Sequence, residues 1–207
     1  MKIAMPMIAH LPIKNTLLMK LSEHKDLKRE ILALPIKEKD KLLLRLVAKD
    51  KVLTEHLHFL LLEDESNLRD RVAFIKNEIN EVFDDLSTAP KTSSKDTLLL
   101  LRKLTKQINH FYKVTKADFE EIELKLLMFN ASPMKFRFKV HSLTKNHEQL
   151  LANYVVKAIL IVLRKFEKLH EDLQFDLKDE VNQLLTKVYN SYIEKTATSL
   201  GLPKSID

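Results

Sequence analysis

This sequence predicts an all-α fold, a multi-helix bundle or irregular helical-hairpin array of about seven or eight helices, and three observations predict it. The first is composition. Among 207 residues there is one glycine, Gly201, and there are six prolines, against a glycine average of about 7%. Backbone turns that need a positive φ must therefore be few. The second is period: apolar residues recur at three- and four-residue intervals over most of the chain, as they do on one face of a helix. The third is the stretch Leu150–Leu169, LLANYVVKAILIVLRKFEKL, in which fourteen of twenty residues are apolar. Wound at about 100° per residue, it keeps a polar stripe of Asn153, Lys157, Arg164 and Lys168. A helix so widely apolar needs neighbours on several sides, so it is expected as the central buried helix, with Ile159 and Val162 facing the middle. It is long enough to cross a bilayer, but Lys157 and Arg164 would lie inside the span at high cost, and no membrane role is expected.

The length fits a single all-α domain, 1–207, with an N-terminal helical-hairpin subdomain, 1–65, as a possible division. Scarce glycine also excludes functions. Phosphate-cradling loops, dinucleotide fingerprints and nucleophile elbows need glycines at fixed spacing. There is no cysteine, so disulfides, thiolate nucleophiles and Cys-ligated zinc are excluded. The start, MKIAMPMIAHLPIKN, breaks its apolar run at Pro6 and makes a poor signal peptide. Cytoplasmic residence is the expectation.

Taken in order, residues 1–15 read as an irregular lead-in, followed by a helix from about Asn15 to Ala33 that breaks near Ser22. Pro35 marks the next start, where its missing N–H costs nothing. From Ile36 to Lys49 the residues Ile36, Leu42, Leu43, Leu46 and Val47 share a face, and Asp50 can cap a helix Lys51–Asp64. Leu68, Val72, Ile75, Ile79, Val82 and Leu86 form a heptad seam. A loop follows over 87–94. Ser94 then caps a helix bearing Leu98, Leu101, Leu104, Ile108 and Phe111. Thr115-x-x-Asp118 reads as a capping box for a helix through Phe119, Ile122, Leu126 and Phe129, ended by Pro133. Lys135–His141, KFRFKVH, alternates like a strand and has no evident partner strand; it is read as a strand or an extended connector. Asp176 or a neighbour caps a last helix, stopped by Gly201-Leu202-Pro203.

Near the N-terminus Leu11-Pro12-Ile13-Lys14 recurs as Leu34-Pro35-Ile36-Lys37. The segment Leu42 to Leu61, LLLRLVAKDKVLTEHLHFLL, resembles one helical hairpin of HEAT/armadillo-type repeats: a leucine-rich helix, an aspartate at the turn, a second apolar helix. The resemblance implies stacked helix pairs and protein binding; it names no activity.

Four constellations have residue types that can carry chemistry. Glu55-x-x-His58 and Glu167-x-x-His170 have the spacing of carboxylate di-metal bundles, but Glu55 and His58 project with Lys51 to the polar side of their helix. No metal or other cofactor is therefore expected. His56 lies between Val52, Phe59 and Leu60 and reads as a core-edge histidine satisfied by backbone or water. Arg164 and His170 are loosely similar to the R-x5-H signature of HEPN-type ribonucleases, in which that pair serves RNA cleavage, though Lys165 stands where that family commonly has a polar Asn or His. The tract Lys135, Arg137, Lys139 alternates with Phe136 and Phe138, so one face cannot both stack bases and bind phosphate. These three basic residues are kept as candidate contacts for nucleic acid or an acidic partner.

The net charge of +6 is uneven: residues 91–168 carry 16 basic and 7 acidic side chains. Of the 35 basic residues 28 are lysine, whereas bidentate phosphate recognition favours arginine. Elimination leaves a protein-interaction or self-association module without catalysis. Nucleic-acid binding through 91–168 is the alternative, and a helical enzyme, HEPN-like or di-metal, the third.

Overall fold

The computed structural model describes residues 20–88, 93–134 and 147–206. Lys135–His141, and with it the question of strand or connector, lies outside the described residues, as do Asn15 and the lead-in. The chain divides into two compact units, Met1–Asp50 and Lys51–Asp207. Every regular element among the described residues is helical, so the all-α expectation holds.

In the first unit a short 3-10 turn, Leu21–Glu23, precedes α1 (Lys25–Ala33) and α2 (Ile36–Val47). Ser22 lies in this turn, and the helical residues expected before it lie outside the described residues. Pro35 forces Leu34 into extended backbone, with ψ 145, because its ring clashes with a helical predecessor. α1 therefore stops and α2 starts afresh. Both helices are amphipathic, yet no residue of either is buried. Leu27, Leu32, Ile36, Leu43, Leu44 and Leu46 are all exposed.

The second unit holds α3 (Lys51–Leu62), α4 (Glu65–Thr88), α5 (Ser94–Thr115), α6 (Asp118–Ala131), α7 (His147–Phe166), α8 (Glu171–Tyr189) and α9 (Glu194–Ser199). Its packing follows one rule: each helix lies against the next but one. The odd helices α3, α5, α7 and α9 form one row and the even helices α4, α6 and α8 the other, with α4–α5, α5–α6, α6–α7 and α8–α9 joining the rows. This is a two-layered helical-hairpin array. The two helices of the repeat-like stretch are α2 and α3, and the division between the units falls between them.

The centre is shared by two helices. α7 buries Leu151, Val155, Val156, Ile159, Val162, Leu163 and Phe166, while Lys157, Arg164 and Lys168 stay exposed. Beside it α6 packs against α4, α5, α7 and α8 and buries Ile122, Leu124, Leu126, Met128 and Phe129. The heptad seam of α4 closes one side, with Val72, Ile75 and Ile79 buried and Leu68, Val82 and Leu86 packed against the core.

Caps show where local reading slips. Asp64 accepts the backbone N–H groups of Ser66 (2.8 Å) and Asn67 (3.2 Å), while the Asn67 side chain accepts the Asp64 N–H (3.0 Å), a reciprocal box opening α4. α5 is capped by Ser93, not Ser94: the Ser93 Oγ accepts the Asp96 N–H at 3.1 Å. The expected box at Thr115 does not form. Thr115 is the last residue of α5, its hydroxyl donating to the Phe111 carbonyl (3.0 Å), and Ala117 is the N-cap of α6. Nor does Asp176 start a helix. α8 already begins at Glu171, where the His170 ring accepts the Asp172 N–H at 3.4 Å.

The far end of the array is fastened by side chains. Lys187 of α8 donates to the carbonyls of Asn130 and Ser132 (2.7 Å for the latter), satisfying acceptors that the end of α6 leaves unpaired. Its burial pushes the ammonium pKa down. After α9, Gly201 adopts φ 71. The Gly201 N–H reaches the Thr198 carbonyl (3.2 Å) and the Leu202 N–H that of Ala197 (3.0 Å), the two bonds of a Schellman stop. The tail then clasps α8: Asn182 donates to the Ile206 carbonyl (3.2 Å) and accepts its N–H (2.8 Å), and the Tyr189 hydroxyl donates to the Leu202 carbonyl. A Cβ on Gly201 would meet nothing within 4 Å, so Gly201→Ala tests the dihedral alone. It should cost about 1 kcal/mol, read as a lower urea midpoint with an unchanged slope.

Candidate functional site

A concavity of the second unit lies over α5, between α3 and α4. It encloses about 420 Å³ and is lined by Glu55, Asp70, Arg71, Phe74, Ile75, Gln107, His110, Phe111 and Val114. The α5 contribution follows from spacing: Gln107, His110, Phe111 and Val114 are i, i+3, i+4 and i+7, one stripe of a helix. α4 adds two adjacent pairs one turn apart, Asp70-Arg71 and Phe74-Ile75, and α3 adds Glu55. The floor is apolar, with Ile75 and Phe111 buried. Phe74 on the wall is 61% exposed.

Polar bonds set the width of this groove. His56 is half-buried on the inner face of α3, where Nδ1 donates to the Val114 carbonyl at 2.5 Å. The expectation of a backbone-satisfied core-edge histidine is met. Glu55 meets the His110 ring, Nε2 to Oε2 2.6 Å. At the α3–α4 corner Arg71 grips Glu63 with both branches of its fork, Nε to Oε2 at 2.7 Å and an outer nitrogen to Oε1 at 2.5 Å, and His58 joins the same carboxylate at 2.9 Å. On the far wall Gln107 donates to Glu78.

The Arg71 fork is the main cause that holds the Glu63 carboxyl below its ordinary 4.5. A depressed carboxylate contributes stability that is complete above its unfolded value and is lost as pH falls through the folded one. Stability should therefore drop more steeply below about pH 4.5 in the parent than in Glu63→Gln, whose curve should be flatter. Urea unfolding from neutral pH downward checks this, and parallel curves would refute the coupling.

Both Glu-x-x-His pairs come apart. Glu55 is bonded across to α5 and lines the groove, a correction to its reading as simply outward-facing, while His58 turns to Glu63. Glu167 is exposed at the end of α7, and His170 caps α8. Among the described residues no three His, Asp or Glu side chains are grouped to hold a metal. Arg164 and His170 are both exposed. The candidate contacts Lys135, Arg137 and Lys139 lie outside the described residues.

A second polar cluster is buried. Glu121 on α6 is 2% exposed and receives Lys125 from one turn on at 2.6 Å and Lys165 from α7. The Lys165 ammonium also sits 3.8 Å from the centre of the Tyr112 ring. The Tyr112 hydroxyl bonds to Asp118, chiefly for which its pKa is raised. Glu121 therefore turns inward, while Asp118 on the same helix is exposed. Two lysines of the basic middle region are held to it.

No family model, no curated protein and no solved structure matches the chain. Among the described residues no helix is long and apolar enough to cross a membrane.

Charge reverses along the N-terminal half of the chain. Residues 1–50 carry eleven basic and six acidic side chains, net +5, and residues 51–90 carry four and nine, net −5. α3 and α4, the walls of the groove, belong to the acidic segment.

Proposed function

We propose that this chain is a non-catalytic helical interaction module that binds another protein or a second copy of itself through apolar surface in its N-terminal third. One observation carries the reading. Of the eighteen large apolar side chains exposed among the described residues, twelve lie between Leu21 and Phe74. They include a run at the end of α3, Leu60, Leu61 and Leu62, at 62%, 71% and 74% exposure. Scattered apolar residues need no explanation, but concentrated ones mark interaction surfaces. In a stacked array the terminal helix needs a polar outer face, and α3, first in its row, has these leucines instead.

The test replaces Leu60, Leu61 and Leu62 together with glutamine. The variant should keep its fold, since none of the three is buried, and lose association. Sedimentation across a concentration range reports self-association, and photo-crosslinking from position 54 in cell extract reports partners. A variant that sediments and crosslinks as the parent does would overturn the reading. Nucleic-acid binding through 91–168 is the competing proposal, weakened by the engagement of Lys125 and Lys165 with Glu121. Titration with DNA and RNA should give only non-specific affinity, on the order of 10⁻⁴–10⁻⁶ M at physiological salt. Sub-micromolar binding abolished by charge reversal at Lys135, Arg137 and Lys139 would replace the first reading.

A further inference from the structure

We infer that copies of this chain stack front to back, the basic outer surface of α5 and α7 on one copy seated on the acidic outer surface of α4 and α8 on the next. Charge sorts by layer. α4, α6 and α8 carry fifteen acidic and six basic side chains, net −9, whereas α3, α5, α7 and α9 carry four acidic and ten basic, net +6. The two rows are the two sides of the second unit, so their outward side chains lie on opposite surfaces.

The outward residues decide what each surface offers. On α5 Lys103, Lys106 and Lys113 point away from the buried Leu101, Leu104 and Ile108, and on α7 Lys157 and Arg164 point away from Val155, Ile159 and Val162. All five are exposed, and none is in an ion pair among the described residues. The two stripes run side by side. The Tyr154 hydroxyl of α7 donates to Thr105 of α5 at 2.8 Å, Arg102 lies 5.7 Å from the centre of the Tyr154 ring, and further along both helices Lys165 sits over Tyr112. On the other surface Asp70 and Glu81 of α4 and Asp176, Asp179 and Glu180 of α8 are exposed carboxylates, again without an ion pair among the described residues. Near the stripes Glu55 is taken by His110, Lys76 by Glu123 and Arg69 by Glu65, so these counter-charges offset little. Glu167 and Lys178, at the stripe edges, are exceptions.

Apolar side chains inside the stripes select a second copy over a polyphosphate. Leu99 and Ile161 are exposed among the cations, and Phe74 and Phe175 among the carboxylates, Phe175 at 79% being the most exposed large apolar side chain among the described residues. A phosphate backbone would pair the lysines and leave Leu99 and Ile161 wet, and neither offers the aromatic platform on which bases stack. The acidic surface of another copy supplies carboxylates and phenylalanines together. Like surfaces repel, so the contact is head-to-tail. Because the two surfaces face opposite ways, each added copy leaves one of each kind free, and growth gives open chains or rings instead of two-fold dimers.

The experiment is sedimentation of the full chain across a concentration range at salt from about 0.05 to about 0.5 M. The parent should associate at the low end, its affinity falling about tenfold or more toward the high end. The triple variant Lys106→Glu, Lys113→Glu, Lys157→Glu turns the basic stripes net acidic, and Asp176→Lys, Asp179→Lys, Glu180→Lys turns the acidic ones net basic. All six positions are exposed, and melting curves that match the parent's show that the fold is kept. Each variant alone should be monomeric at low salt, whereas an equimolar mixture of the two should associate again, because every contact then pairs opposite charges. A parent that is monomeric throughout, a reversed variant that associates as the parent does, or a mixture that stays monomeric overturns the inference. Sub-micromolar binding of DNA or RNA that the lysine reversals abolish gives the basic surface to a polyphosphate and overturns it too. At about 0.5 M salt the charge contact is screened, so association that persists there belongs to the α3 leucines and their own test, and the two readings fail separately.

Discussion

Replacing Glu121 with alanine should destabilise the protein by about 3–5 kcal/mol, a large fraction of the stability of most domains. The carboxylate is 2% exposed, and Lys125, its partner one turn along α6, is 7% exposed. Without Glu121 the Lys125 ammonium stays between packed helices with nothing to neutralise it, and an uncompensated buried charge is the expensive outcome. Lys165, less buried and lying against the Tyr112 ring, can turn to solvent and adds little to the loss. The double substitution Glu121→Leu, Lys125→Met should recover most of the stability, because an apolar pair of similar size needs no desolvation of charge. Chemical unfolding of the two single variants and the double variant measures this. If the double variant is no better than Glu121→Ala, the cost belongs to packing and the electrostatic account fails.

Val162→Asp should leave no cooperatively folded protein. Val162 and Ile159 are both 1% exposed in the middle of α7, on the face that meets α5 and α6. Lys157 and Arg164 lie on the opposite, exposed stripe of α7, and Lys165, one turn on, is already held by Glu121, so a carboxylate there would have no cation of its own. Burying it unpaired costs several kcal/mol, and keeping it neutral raises its pKa at comparable cost. Lys157→Asp serves as the control: a carboxylate on the exposed stripe, even with the larger change of charge, should shift stability by no more than about 0.5 kcal/mol. Circular dichroism and thermal melting of the pair decide it, and a cooperatively melting Val162→Asp would show that α7 is not the packed element its burial indicates.

What could be read from sequence was whatever one helix declares by its own period. The seam of α4, the wide apolar arc of α7, the inward histidine at position 56 and the stop at Gly201 all depend on neighbours within a turn or two. The errors arose where a local signal had two readings. Thr115 and Asp118 have capping-box spacing, but the Thr115 hydroxyl was taken by the Phe111 carbonyl. Histidine is an uncommon cap, so α8 was started too late. Glu121 and Lys125 look like an exposed i, i+4 pair; only the arrival of Lys165 from another helix shows that they are buried. The groove was illegible for the same reason. Its lining comes from three helices with Glu55 and Val114 at its ends in sequence, and no periodicity reports which helix will lie against which.

The array has one finished end and one unfinished end. At α9 the chain is tied off by the Schellman stop and by the clasp of Asn182 and Tyr189 on the tail; at α3 the row ends in exposed leucines. In a one-dimensional stack each helix pair draws stability from its neighbours, so unlike ends make opening directional. Amide hydrogens should exchange fastest in α3, more slowly in α5, and slowest in the α6–α8 block where Lys187 bolts two helices together. Such a molecule unzips from its α3 end. Whatever covers α3 would then act on the whole stack as a doorstop acts on a door, setting how often the far helices move without touching them.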